Sequence, residues 1–387
     1  MSRLTDERGG GWRRTLLGRR GDWLACVVFL LLCVALSRLE LMPARDPEPG
    51  TKERAVVLSV DDSGVERMGL MLMGTQRLEV EVRTGRHAGQ RFPAANELRA
   101  QLDLDKMFVP GDAVWVAMLH GAEPGVTVIQ AQDHYRLGWT ALLFGLFCVL
   151  LLAFAGVTGL KALVSFVFSC VAVWKLVVPL CLRGHSPLAV SVACVCLLTA
   201  VIIFLVAGLT RKGVVAFLGS MLGVLAGCAL AEVFTVLFHV SAAGMPYAPA
   251  LLYSGYEGLD LQALFAGAII LASSGAVMDL GMDVAAGMEE VAWHRPGISG
   301  RDLTLSGLRI GQSVVGTMTT TLLLAYSGGY LTLLMVFAAQ GTGLGDIINN
   351  PYVAAECVKT LVGSFGLVLV APFTALVGGA LHAWRGA

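Results

Sequence analysis

Two carboxylates stand four residues apart in SSGAVMDLGMDVAAGMEE, residues 273–290, at Asp279 and Asp283. Positions i and i+4 share one face of a helix, so the pair is predicted to project together. A charge at the centre of a bilayer costs at least about 2.5–3.5 kcal/mol unless it is solvated or paired. The chemistry open to such a pair is cation binding, proton relay, or acid–base work with a further carboxylate. Asp346, in Gly343-Leu344-Gly345-Asp346, is a candidate for that further carboxylate. Gln312, Thr317, Asn349, Asn350 and Glu356 are predicted at the same depth toward the cytoplasmic side, with Arg309 and Lys359 nearby. That would assemble a polar pocket or ion path. The alternative is a helix end bathed by water, with the aspartates paired to Arg309. Lys175 and Glu232 fall in the outer part of two other segments and read as a structural pair.

The elements that must position these groups follow from composition. The chain has 387 residues, 56% of them hydrophobic and 14% charged, against about 25% charged in soluble domains. Its mean hydropathy is +0.72. Both mark a membrane protein. Of the 56 acidic and basic residues, 36 lie in residues 1–136, so the first third is partly aqueous and the rest is dissolved in lipid. A formal net charge of +0 carries no basic footprint of a nucleic-acid binder.

Residues 1–22 read as a basic cytoplasmic tail and 23–39 as an N-terminal transmembrane anchor, with a cleaved signal peptide as the alternative. The runs RAVVLSV, QRLEVEVRTG and DAVWVAML, broken at glycine turns, predict a small all-β domain over 45–134, a barrel or sandwich. Residues 137–385 form a helical transmembrane domain. Its apolar segments lie near 138–155, 159–182, 187–209, 213–240, 262–285, 306–326, 330–345 and 360–383. Each approaches the ~20 residues a bilayer requires. The expected fold is therefore a polytopic α-helical membrane protein of about 9 transmembrane helices, 8 of them after residue 137. The β domain sits between helices 1 and 2. Segment 330–345 is marginal, and reads as tilted, re-entrant or broken. The Lys/Arg distribution, with Arg211, Lys212, Arg295 and Arg301 inside, predicts the N-terminus inside and the C-terminus outside. Residues 40–136 are then extracytoplasmic.

Helices in lipid associate through small residues that let backbones approach closely. Gly219, Gly223 and Gly227 form one such stripe, Gly307 and Gly311 another, and Gly275 and Gly316 join the packing candidates. All nine cysteines lie in or beside apolar runs and none lies between residues 40 and 136, so the β domain folds without disulfides. No metal-ligand spacing occurs, and no cofactor is predicted.

SSGAVMD at 273–279, VVGTMTTTLLLAYSGGY at 314–330 and AAECVKTLVGSFGLVLVAPFTAL at 354–376 resemble the YibE/F-like family of bacterial multi-pass membrane proteins. Gly85, Gly89-Gln90 and Gly111-Asp112 fit the same pattern, so the resemblance runs over about 50–385. Gly275, Asp279, Gly316, Thr317, Thr321, Tyr326, Gly328, Asn349, Glu356 and Pro372 are the matching positions. Asp283, Thr320 and Thr332 depart from the family's usual serine, asparagine and proline. The resemblance implies the bacterial cytoplasmic membrane and no established activity. The favoured reading is a transporter or permease for a small solute or ion. The alternatives are a non-transporting scaffold whose β domain binds an envelope protein, and an intramembrane protease. The last reading rests on Gly343–Asp346, which resembles the GxGD signature of intramembrane aspartyl proteases, with Asp279 as its partner. Besides the lipid bilayer, a second copy of the chain is a candidate partner.

Overall fold

The computed structural model describes residues 26–43, 51–120 and 127–383. The basic tail 1–22 and the first residues of the 23–39 anchor fall outside them. The chain divides into two compact units, Ala44–Leu150 and Met1–Pro43 with Leu151–Ala387.

The first unit is a small β-barrel. Its strands are β1 (Thr51–Asp61), β2 (Val65–Met68), β3 (Met71–Val82), β4 (Arg91–Arg99), β5 (Ala113–His120) and β6 (Thr127–His134). They run in the order β1-β5-β6-β4-β3-β2, and β1 also pairs with β3, so five strands close and β2 hangs on β3 as a hairpin. All pairings are antiparallel except β4 with β6. Alternation puts every second side chain inside: Ala55 and Val57 from β1, and Leu78, Val80 and Val82 from β3, pack on Phe108, Val114, Val116 and Met118. The turn before β5 needs Gly111 at φ +97, where its N–H donates to the Val57 carbonyl at 2.8 Å. Within the barrel lies a polar network. The amide of Gln76, fully buried, donates to the Phe108 carbonyl and to Asp62, and accepts from the Phe108 N–H and from Asn96. Asn96 donates in turn to the Lys106 carbonyl at 2.7 Å. Every polar atom of Gln76 is used, and the loop between β4 and β5 is tied down from inside.

The helical unit starts with α1 (Cys26–Ser37), an apolar helix shorter than a full span. The segments expected at 138–155 and 159–182 belong to one helical run, Leu137–Leu182, of 46 residues. It comprises α2 (Leu137–Ala172), a π-helical turn (Val173–Val177) and α3 (Val178–Leu182), and is broken at Gly156 (φ 54, ψ −124). Then come α4 (Pro187–Ala207), α5 (Arg211–Leu237), α6 (Ala248–Tyr253), α7 (Leu261–His294) and α8 (Gly300–Gly328). The chain closes with α9 (Leu331–Gln340), α10 (Leu344–Asn349) and α11 (Pro351–Ala383). Among the described residues, five helices are long and apolar enough to cross a membrane, and a sixth candidate is the pair α8 and α9, bent by 64°.

That bend alters the expected path. Segment 330–345 provides ten helical residues, a left-handed stop at Gly341 (φ 65) and a new short helix. The chain therefore turns back where a crossing was expected. Consequently α11 ends where α8 begins: the His382 ring nitrogen Nε2 lies 3.2 Å from the Ile298 carbonyl. A Cβ on Gly379 would come within 2.6 Å of the Gly300 carbonyl oxygen. Gly297 and Ala383, expected on opposite faces, thus share one end of the bundle.

Around α11 the packing is close and antiparallel. Gly219, Gly223 and Gly227 of α5 face Thr374, Val370 and Gly366; a Cβ on Gly219 would lie 2.7 Å from the Thr374 Cα. Gly307 and Gly311 of α8 face Ala375 and Ala371 at 3.0 and 2.6 Å. With no side chain in the way, these backbones approach and gain dispersion contact, which drives association in lipid. Gly275 and Gly316 differ: a Cβ on either meets nothing within 4 Å.

Candidate functional site

Where α8 ends and α11 begins, four side chains converge. Tyr326 lies in the last turn of α8 and Tyr330 just before α9, across the Gly328-Gly329 stop, while Glu356 and Lys359 are three apart on one face in the first turns of α11. Asn350 fixes the start of α11. Its Oδ1 accepts from the Tyr352 N–H at 3.0 Å, and Pro351 takes the first helical position, where a missing N–H costs nothing.

The Tyr330 hydroxyl donates to Glu356 Oε1. Lys359 Nζ lies 3.5 Å from the same oxygen and 5.2 Å from the centroid of the Tyr326 ring, a cation–π contact. Glu356 Oε2 and the Tyr326 hydroxyl are buried without a hydrogen-bond partner. Tyr330, Glu356 and Lys359 line a cavity of about 840 Å³, completed by Met245 and Pro246 after α5, Phe265, Ala268 and Ile269 of α7, and Tyr352. The wall is apolar and the polar groups are few and convergent, as in small-molecule sites. An orphan carboxylate oxygen beside an ammonium can accept from a cationic or hydroxyl-bearing solute, or take up a proton.

The structure separates the groups expected at one depth. Glu356 belongs to this cavity. Asp279 lies 11 residues beyond the cavity-lining Ala268 along α7, hence about 16 Å further down its axis at 1.5 Å per residue. Because α11 starts at the end where α7 starts, Glu356 cannot meet Asp279. Instead Asp279 and Asp283 lie on the exposed face of α7, and the charge beside Asp279 is that of Asp283. Gln312 and Thr317 lie on the exposed face of α8. The α7–α8 contacts, Gly287 on Ile310 and Val284 beside Gly311, set Asp283 level with Gln312. Asp346 and Asn349 are exposed on α10, and Asp346 occupies its first turn, where the helix dipole favours a carboxylate.

Lys175 and Glu232 do not pair. Lys175 Nζ donates to the Leu39 carbonyl at 3.5 Å, and Glu232 is exposed. The loop MPYAPALLYSGYEGLD enters the site through Met245 and Pro246, while Tyr247 and Tyr253 are exposed and Asp260 caps α7 through the Ala263 N–H at 2.9 Å. Tyr330 is the site residue that spacing alone did not single out. The signal was a second tyrosine directly after the Gly328-Gly329 stop, with a Glu–Lys i,i+3 pair further along.

Long apolar helices packed through glycine, with a partly buried carboxylate at a cavity and a separate β-barrel, define an integral membrane protein of the helical class. The chain belongs to the YibE/F-like protein family, which it matches over residues 143–383. No curated protein and no solved structure matches it.

Proposed function

We propose that the protein is a transporter or permease for a small solute or ion in a bacterial cytoplasmic membrane, and that the Glu356 cavity is its binding site. One observation carries this reading: Glu356 Oε2 is buried and unpartnered beside a cavity of about 840 Å³, next to a broken helix pair. A half-satisfied carboxylate is costly in a bundle, and a cation, proton or hydroxyl arriving from the cavity satisfies it. Interrupted helices at such sites are a recurrent transporter device, because they free polar groups inside the membrane. Lys359 sits beside the carboxylate, and Tyr330 fixes its direction.

Glu356→Gln removes the charge and keeps the shape. The expected outcome is loss of complementation of a deletion phenotype, with the amount of protein in the membrane unchanged. Tyr330→Phe should leave partial activity. Full activity in Glu356→Gln would end the assignment of this cavity.

A further inference from the structure

We propose that the open faces of α7 and α8 form a two-fold interface with a second copy of this chain. Asp279 and Asp283 sit within the central twenty residues of α7, and Arg309 and Gln312 within those of α8, the length that a ~30 Å hydrocarbon core requires. All four are exposed, and none has a hydrogen bond or ion pair among the described residues. The α8 face continues as Ser313, Gly316, Thr317, Thr320 and Thr321, a polar stripe at helical spacing. Each of its four hydroxyls donates to its own helix, as Thr317 does to the Val314 carbonyl at 2.9 Å.

Lipid cannot cover such a face, because unpaired charges in hydrocarbon are expensive. The charges also name the occupant. The face holds two acids on α7 and a base on α8, with Arg309 about one helical turn from the level of Asp283, so acid and base are within side-chain reach between copies. Copies inserted the same way relate by an axis along the membrane normal, which keeps depths equal. A two-fold places α7 of each copy against α8 of the other, and Asp283 then reaches Arg309 of the second copy. Gly275 and Gly316, whose added Cβ atoms would meet nothing in their own chain, become the points where backbones can close.

The test uses full-length copies bearing two different tags, co-expressed and captured from native nanodiscs through one tag. Wild-type copies should co-isolate. Gly316→Leu has room within its own chain but not at the interface, and should reduce co-isolation about tenfold or more. Asp283→Arg alone and Arg309→Asp alone should do likewise. One copy with Asp283→Arg and another with Arg309→Asp should co-isolate again, since both cross-pairs are then restored. Wild-type copies that never co-isolate overturn the proposal. So does association untouched by Gly316→Leu and by the single charge reversals, which would place any dimer on another face.

Discussion

Glu356 divides its two oxygens: one is shared by a phenol and an ammonium, and the other is buried and unpaired. Gln76 is the opposite case, a buried amide with every polar atom used. The difference separates a group that can still bind from one that can only hold. For Gln76 the expectation concerns stability. Gln76→Leu would orphan the Phe108 N–H and the Asn96 amide, and each unsatisfied buried group costs about 1–3 kcal/mol. The isolated β unit is expected to lose about 3 kcal/mol or more on that substitution. Urea unfolding followed by tryptophan fluorescence measures it; an unchanged midpoint would show that the loop before β5 is held by something else. The identity of Glu356 was visible in the sequence. Its partner Tyr330 was not, because the phenol and carboxylate are 26 residues apart and meet only after the chain turns at Gly328-Gly329.

At the scale of elements, glycines of one composition do two things. Gly219 stands where a Cβ would lie 2.7 Å from the Thr374 backbone, whereas a Cβ on Gly275 meets nothing. Overpacking a tight contact costs typically 1–3 kcal/mol. Gly219→Leu is therefore expected to lower the detergent-solubilised melting temperature clearly, by lifting α5 off α11. Gly275→Leu should leave the melting of a single copy unchanged. Equal effects from the two would mean that the α5–α11 contact is not the tight one. The repeat of Gly219, Gly223 and Gly227 was legible as a stripe, but its partner was not. A sequence shows which side of a helix can be approached, and leaves open what approaches it.

The whole molecule turns on segment 330–345. Among the described residues five helices are long and apolar enough to cross a membrane, and the bent α8–α9 pair is a sixth candidate, so segment 330–345 adds no crossing of its own. Gly297 and Ala383 then lie on one side, which the cationic ends at Lys161, Arg211, Lys212, Arg295 and Arg301 predict to be the cytoplasmic one. Reporters placed near Gly297 and after Ala383 should read alike, and one near Ser186 should read the opposite. Opposite readings at Gly297 and Ala383 would restore a crossing at 330–345.

Composition and period by themselves determined the membrane class, the β-forming stretch before it and the apolar segments, because solvation by lipid and alternation of side chains act within a few residues of each position. They also singled out Asp279, Asp283 and Glu356, since charge in an oily run is conspicuous wherever it falls. What the tertiary structure decided was which of these meet. Across the 64° bend between α8 and α9, the stop at Gly341 and α10, the chain reverses, so α11 runs antiparallel to α8 and Glu356 moves from the level of Asp283 to the far end of the bundle. Local propensity marks that a helix stops at two glycines. The direction in which the chain resumes is set by how α11 packs against α5 and α8, a long-range contact that no window of sequence contains.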